Sequence, residues 1–198
     1  MVIHKPAGIL TVPGKTEDLQ DCMINRLVKL EPKTLLIHRL DRDTSGILVF
    51  GLSRWGQKSI SRQFQERQTD KTYQAIVAGH LEGQGTVDVP VIYGPSRPPL
   101  HIAEPSHNKP AVTEWKAIEH FEIQGQPVTR VALTPITGRS HQLRVHMQFL
   151  GHPIVGDTLY AAPDQQDLMP RLCLHAERLS FHHPQTDERI EFICPVPF

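Results

Sequence analysis

The sequence predicts an α+β fold, a mixed and largely antiparallel twisted sheet with flanking helices. About eight short segments have the apolar, β-branched character of strands, whereas three segments have helical periodicity. Many strands with few helices are typical of α+β domains. We expect a single domain over residues 1–198, because a chain of 198 residues can form one core and no internal repeat or long linker divides it.

The N-terminal segment predicts a strand followed by a helix. Turn residues at 6–8 and 13–14 surround a short apolar segment at 9–12, which predicts the strand. Thr16 can cap a helix that Pro32 ends. The apolar positions of this helix are Leu19, Cys22, Met23, Leu27 and Leu30, and they predict a structural role.

A polar segment at residues 38–46, HRLDRDTSG, separates apolar segments at 35–37 and 47–50 that predict buried strands. A polar loop between two buried strands holds its charges in a fixed place at the edge of the core, which suits a catalytic carboxylate. The same residue types also form ordinary turns with surface ion pairs. The residues alone therefore leave a catalytic loop and a structural turn as alternatives.

A second helix and the remaining strands follow. Ser53 can cap a helix running to about Gln68, with Trp55, Ile60 and Phe64 facing inward. Its basic residues, Arg54, Lys58, Arg62 and Arg67, would then face solvent or a partner. Strands are predicted at 71–79, 86–92, 112–121 and 128–135, with Pro90 as an edge or bulge signal. The segment 94–110, rich in Pro, Ser and His, predicts a long irregular loop.

The segment 137–146, TGRSHQLRVH, predicts a Thr-Gly turn into a third helix that Gly151 ends. Such a turn presents backbone N–H groups that suit a phosphate. The segment carries Arg139, His141, Arg144 and His146, and no acidic residue lies between 139 and 150. An amphipathic helix with a basic outer face is the alternative interpretation.

Composition narrows the class of protein. The formal net charge is zero, but residues 1–150 hold 18 Lys and Arg against 14 Asp and Glu, so a basic face for nucleic acid is compatible with the neutral total. No apolar run reaches a membrane span and the N-terminus lacks a signal-peptide core. Three cysteines without metal spacing predict free thiols and a cytoplasmic location. Twelve histidines form neither HExxH nor a zinc-finger pair, so no metal is expected.

Four motifs in order resemble the RluA family of pseudouridine synthases, over nearly the whole chain. Residues 38–46 resemble its HRLD-x-x-TSG motif, residues 3–14 its NKPxGLLxVPG motif, residues 71–75 its K-x-Y-x-A motif, and residues 137–160 its TGR-[ST]-HQ-[IL]-RVH motif with the GHPIxGD-x-x-Y continuation. The chain starts almost at the first motif, so the strand that precedes it in the family is expected to be shortened or missing. The resemblance also implies a strand at 172–176 and a closing strand at 189–193. The family branch that shares residues 97–99 and 109–111 has no S4-like domain and acts on 23S rRNA and the tRNA anticodon loop.

The resemblance implies an isomerase that converts uridine in structured RNA to pseudouridine, with base flipping and no cofactor. It implies Asp41 as the essential catalytic carboxylate, acting as nucleophile or base, Arg144 as the partner of Asp41, and Tyr73 as the ring that stacks on the uracil. We expect Arg39, Arg42, Arg139 and His141 to bind the RNA. RNA is the expected partner of a protein that is otherwise a monomer, and the fold implied is the pseudouridine synthase catalytic domain.

Two other classes of function remain possible from the residues. Asp41 and Asp43 could form a glycosidase or metal-binding pair, although residues two apart in an extended segment point in opposite directions. A non-catalytic RNA-binding module would need no carboxylate at position 41.

Overall fold

The structure, a computed structural model, describes residues 1–94 and 99–198. The chain forms two compact units. Unit 1 comprises residues 1–71 and 175–197, and unit 2 comprises residues 72–174 together with Phe198. No helix in the described part of the chain has both the length and the apolar character needed to cross a membrane.

The elements confirm the α+β class, with strands that pair mostly antiparallel. The strands are β1 (Val2–Lys5), β2 (Leu35–Leu36), β3 (Ser45–Gly51), β4 (Asp70–Ala78), β5 (Gln84–Asp88), β6 (Val91–Tyr93), β7 (His101–Ala103), β8 (Val112–Ile123), β9 (Gln126–Pro135), β10 (Leu174–His182) and β11 (Arg189–Ile193). The helices are α1 (Met23–Leu30), α2 (Arg54–Gln65), α3 (Gln142–Phe149) and α4 (Pro163–Gln166).

Unit 1 is organised around β3, whose residues are all buried. This strand pairs antiparallel with β1 and β2 and parallel with β10, which in turn pairs antiparallel with β11. Gly46 has a φ of +118°, and a Cβ there would lie 2.3 Å from the Ala176 carbonyl oxygen. Only glycine therefore permits the close approach of β3 and β10 directly after the polar segment.

The N-terminal predictions are partly wrong. The first strand, β1, has four residues and overlaps the start of the first motif. Residues 9–12 form no strand, and only a bridge joins Leu10 to Cys22. That bridge holds Cys22 in extended conformation, so α1 begins at Met23 rather than after Thr16, which precedes a single 3₁₀ turn. Leu30 is 83% exposed and does not belong to the buried face.

The second helix confirms the predicted cap. The Ser53 hydroxyl accepts a hydrogen bond from the Gly56 N–H at 3.1 Å, and α2 ends at Gln65. Ile60 is buried as predicted, but the inward position of Trp55 is wrong, because its side chain is 56% exposed. The segment predicted at 35–37 is also shorter than expected, since β2 contains two half-buried residues.

Unit 2 is an antiparallel sheet in the order β4-β9-β8-β5, with the separate pair β6-β7. Its core includes Ile76, Leu133 and Met147, all almost fully buried. The strand predicted at 86–92 is divided into β5 and β6 near Pro90, which lacks the N–H that a continuous ladder requires. The segment predicted as a loop at 94–110 contains β7, and its positions Arg97 and Pro98 lie outside the described residues.

Candidate active site

The backbone on both sides of Asp41 is fixed by buried polar side chains of unit 1. The Thr11 hydroxyl donates to the Leu40 carbonyl at 2.8 Å and accepts from the Leu40 N–H at 3.1 Å. The Lys5 ammonium, which is fully buried, donates to the Arg42 carbonyl at 2.8 Å. Asp41 is therefore placed by two clamps on its neighbours, which limits backbone movement of the loop. The roles of Lys5 and Thr11 were not predictable from the sequence, since these residues lie 37 and 29 positions from their partners.

The two carboxylates of the loop, Asp41 and Asp43, differ in the hydrogen bonds and ion pairs that they form. Asp43 lies 3.2 Å from the Arg42 Nε, an ion pair of neighbouring residues at the surface. Asp41 is half-buried, and among the described residues of unit 1 no hydrogen bond or ion pair engages its carboxylate. Asp43 thus forms an ion pair within the loop, while the Asp41 carboxylate forms no structural hydrogen bond or ion pair with the described residues of its unit.

His38 is a neutral packing residue of the same motif. Its Nε2 accepts a hydrogen bond from the Val49 N–H at 3.1 Å, and its ring stacks on Phe64 at 4.6 Å. Removal of the ring from water, reinforced by the charge of Lys71, lowers the pKa of His38 from 6.5 to about 3. The histidine therefore joins the loop to α2 and β3 in its uncharged form.

The end of the polar segment is tied to β10 by a buried hydrogen bond. The Ser45 hydroxyl lies 2.7 Å from Nδ1 of His175, and Nε2 of His175 lies 3.2 Å from the Cys194 carbonyl oxygen. His4, His175 and Cys194 also bring three potential metal ligands within 4.8 Å of one another. Both ring nitrogens of His175 already have hydrogen-bond partners, so a metal there would have to displace one of them.

The three cysteines are free thiols, as predicted. Burial raises the pKa of Cys173 to about 11. That thiol is therefore protonated and unreactive at neutral pH.

In unit 2, Arg144 forms a buried bidentate ion pair with Asp157. Its Nε and Nη2 donate to the two carboxylate oxygens at 2.7 and 2.6 Å, and the side chains are 3% and 0% exposed. The same carboxylate accepts from the N–H groups of Leu159 and Tyr160 at 2.9 and 3.2 Å. Asp157 lies within the motif at 137–160, but its residue type alone predicted no role for it. The pairing of Arg144 with Asp41 stays a prediction.

A chain of aromatic and basic groups continues from this ion pair. The Arg144 guanidinium lies over the Tyr160 ring, 4.9 Å from its centroid. The Tyr160 hydroxyl accepts from the His101 N–H at 2.9 Å and is joined to Nδ1 of His141 by a 2.6 Å hydrogen bond. His141 has a positive φ of 55° at the start of α3, a conformation that costs a non-glycine residue energy. Tyr160 thus links two residues that the sequence placed in the site, Arg144 and His141.

The Thr-Gly turn before α3 is closed by Gln142. The Gln142 Oε1 accepts from the Arg139 N–H at 3.0 Å and from the Thr137 hydroxyl at 2.7 Å. The N–H of Arg139 is therefore occupied by a side chain, and a phosphate site at this turn stays a prediction. The basic outer face predicted as the alternative is wrong, because Arg144 and His146 are 2% and 0% exposed.

The remaining predicted site residues are placed as follows. Tyr73 lies half-buried on β4, opposite Leu133 of β9. Arg39, Arg42 and Arg139 are exposed, and the Arg139 Nε donates to the Pro110 carbonyl at 3.1 Å. Arg39 and Arg42 flank Asp41 in unit 1, whereas Tyr73, Arg139, His141 and Arg144 belong to unit 2.

Comparison with known proteins gives concordant results. The model of a family described as RNA pseudouridylate synthase matches residues 1–149. The chain is 45% identical to the dual-specificity RNA pseudouridine synthase RluA of Pasteurella multocida and 43% identical to that of Escherichia coli K12, covering 100% of this chain and 90% of each relative. Among solved structures, human RNA pseudouridylate synthase domain containing 1 matches with a TM-score of 0.83 and 34% identity, over 100% of this chain and 80% of that one.

These matches extend over the polar loop that Lys5 and Thr11 hold, and the relatives named RluA extend over the Arg144–Asp157 pair as well. The fold class and the family motifs agree with them. The chain belongs to the RluA family of RNA pseudouridine synthases and is an RNA-modifying isomerase.

Proposed function

We propose that this enzyme isomerises uridines in both ribosomal and transfer RNA, at sites in 23S rRNA and in a tRNA anticodon loop, with Asp41 as the catalytic carboxylate. The relatives in Pasteurella multocida and Escherichia coli are named dual-specificity RNA pseudouridine synthases, and they match the full length of this chain. Both RNA classes occur in the cytoplasm, where we expect the protein to act as a monomer without an obligate protein partner.

The observation that carries the role of Asp41 is the pair of clamps on its backbone. Thr11 holds Leu40 and Lys5 holds Arg42, while the carboxylate between them is engaged by no structural contact of its unit. A rigid backbone with an available carboxylate is what attack at C1′, or removal of a sugar proton, requires. A carboxylate that served only a turn would be bonded within that turn, as Asp43 is to Arg42.

The reaction breaks the N1–C1′ bond, turns the uracil and forms the C5–C1′ bond. The proton on C5 is lost and N1 gains one, so that product and substrate have the same composition. We assign Tyr73 to stacking on the uracil during its rotation, with its hydroxyl in reach of the final proton loss. We assign Arg144 to charge stabilisation near the reacting carboxylate, in addition to its bond with Asp157.

Arg39, Arg42, Arg139 and His141 are the proposed RNA contacts. The three arginines are exposed and can reach phosphate oxygens or fill the space that the flipped base leaves. His141 is held by Tyr160 in a fixed orientation, which suits a directional contact more than a diffuse one.

The experiment is pseudouridine mapping of rRNA and tRNA in cells with and without the protein, followed by the purified protein on the same RNAs. We expect positions in both RNA classes to depend on it. Asp41→Asn should bind RNA almost normally and give no detectable product. Turnover by that variant within tenfold of wild type, about 1.4 kcal/mol in barrier, would refute the role of Asp41. Release of uracil or cleavage of the chain would instead indicate a hydrolase.

A further inference from the structure

A basic groove in unit 1 is lined by none of the residues assigned to the site so far. We call it the α2 groove, because one wall is α2 and the other is the end of β10 with the turn to β11. Its volume is about 890 Å³. The lining residues that matter are Trp55, Lys58, Arg62, Arg67, His183 and Arg189.

The groove carries positive charge that the protein does not neutralise. Of its two acidic residues, Asp70 is bonded to Arg189, and Asp187 lies 3.6 Å from the His182 ring and is 94% exposed. Lys58, Arg62 and Arg67 are exposed, and none of the ion pairs among the described residues includes them. Lys58 and Arg62 are four apart on one helix, where like charges repel unless an anion lies between them.

Arg67 occupies a position where the fold favours glycine. It follows α2 with a positive φ of 58°, and the Gln68 N–H closes the helix by donating to the Gln63 carbonyl at 2.9 Å. Glycine is usual at this position because a Cβ is unfavourable in the left-handed conformation. An arginine kept there despite that cost indicates a use for its side chain.

Trp55 supplies an aromatic surface on the same side of the helix. It is 56% exposed and precedes Lys58 by three and Arg62 by seven residues, so the three side chains form one stripe. Exposed aromatic rings interleaved with cations are the usual platform for unpaired nucleotides, with bases stacking on the ring and phosphates on the charges.

The floor of the groove is rigid. Gln63 is 6% exposed, and its amide both donates to the His182 carbonyl at 2.9 Å and accepts from the His182 N–H at 2.8 Å. These two hydrogen bonds fix α2 against the end of β10, so the cations and the Trp55 ring are held in place before a ligand arrives. Such preorganisation lowers the entropy lost on binding.

We infer that the α2 groove is an additional RNA-binding surface, which grips the phosphodiester backbone of an unpaired segment with Lys58, Arg62 and Arg67 and stacks one base on Trp55. Its occupant is part of the substrate RNA distant from the uridine that reacts. The groove therefore contributes affinity and RNA selection, and takes no part in the bond rearrangement.

The test measures binding of an oligouridine of about 20 nucleotides across a salt series. The double variant Lys58→Gln/Arg62→Gln should lower the salt slope by about 1.4, since each lost contact to a single strand contributes about 0.7. The matched control is Lys29→Gln/Lys33→Gln, which removes two exposed cations from unit 1 outside the groove. An equal fall in slope for both double variants would overturn the proposal.

Trp55 gives an independent readout. Wild-type fluorescence should be quenched by the oligouridine, and Trp55→Phe, which leaves Trp115 as the only tryptophan, should lose most of that quenching. Trp55→Ala should weaken binding about tenfold at an unchanged salt slope. If Trp55→Phe kept the quenching, or Trp55→Ala bound normally, no base would stack there and the proposal would fail.

Turnover separates this surface from the catalytic assignments. On an RNA that the wild-type enzyme converts, the Lys58→Gln/Arg62→Gln variant should raise KM several-fold and leave kcat unchanged. A loss of kcat with KM intact would contradict a role confined to binding. Arg67→Gly should melt at a higher temperature than wild type while binding RNA more weakly, and a variant that gained stability with full affinity would exclude Arg67 from the surface.

Discussion

Replacement of Arg144 by methionine tests how much of unit 2 depends on the ion pair with Asp157. Methionine keeps most of the apolar stem but removes the guanidinium. One carboxylate oxygen of Asp157 would keep its bonds from Leu159 and Tyr160, whereas the other loses the only donor that the structure shows for it. The variant thus leaves a carboxylate of 0% exposure without its counter-charge.

Loss of one partner from a buried ion pair costs about 3–5 kcal/mol, because the remaining charge is desolvated and unpaired. For a protein of this size each kcal/mol shifts the melting temperature by roughly 2–4 °C, so Arg144→Met should melt roughly 6–20 °C lower. Arg26→Met is the matched control, since Arg26 forms a similar bidentate pair with Asp21 at the surface, where solvent screens the charges. The control should melt close to wild type.

A double-mutant cycle with Asp157→Asn separates stability from chemistry. Asparagine keeps an oxygen for the two backbone N–H groups while it removes the charge. The double variant should therefore be more stable than the sum of the single changes predicts, by roughly 2–3 kcal/mol in urea unfolding. If Arg144 also acts in the reaction, the double variant regains stability but not turnover. Additive effects on stability would refute the reasoning about the ion pair, and recovery of both properties would reduce Arg144 to a structural residue.

Changes at three further residues probe the polar loop and the Tyr73 ring. The Tyr73→Phe variant should bind RNA but carry out a late step of the reaction more slowly, whereas the Tyr73→Leu variant should lose both binding and turnover. Product analysis measures the conversion, and normal conversion by the leucine variant would make Tyr73 a packing residue. Thr11→Val removes both hydrogen bonds to the Leu40 backbone and should lower the free energy of unfolding, measured in urea, by about 1–3 kcal/mol. We expect kcat to fall more than RNA affinity, and an unchanged kcat would show that the clamp is not needed. The folded-state pKa of His38 lies below its unfolded value of 6.5, so between pH 6.5 and about pH 3 the unfolded state binds a proton that the folded state does not. The stability contribution of His38 is therefore complete above pH 6.5 and declines toward pH 3 by up to about 1.4 kcal/mol per pH unit. Unfolding curves of His38→Gln should lack that slope, and an identical slope would place the titration elsewhere.

Local signals in the sequence predicted the elements that local rules govern. Ser53 at the start of α2 and the strands β4, β8 and β9 appear where expected. The prediction that a helix begins after Thr16 was wrong, because a bridge between Leu10 and Cys22 keeps Cys22 extended despite the capping pattern. The predicted inward position of Trp55 was wrong because the face of α2 that is buried depends on which element packs against the helix, and the fold decides that.

The candidate site divides in the same way. The motif predicted Asp41 as the catalytic carboxylate, because the order of residues is specific to a family. The groups that hold it, Lys5 and Thr11, come from a distant part of the sequence and bond to backbone atoms, which leave no pattern in residue type. The Arg144–Asp157 pair spans 13 residues and two motif segments, and its detection from sequence would have required knowing that both side chains are buried.

The two acids show how one fold assigns opposite tasks to the same functional group. Asp157 accepts four hydrogen bonds, two from Arg144 and two from backbone N–H groups, so its oxygens have little capacity left for a substrate. Asp41 has the reverse arrangement, since the bonds go to the neighbouring backbone and the described residues of its unit leave the carboxylate unengaged. A reactive carboxylate needs a fixed position and available lone pairs at the same time. Clamping the peptide groups on either side meets both needs, which is why we assign the bond rearrangement to Asp41 and the stability of unit 2 to Asp157.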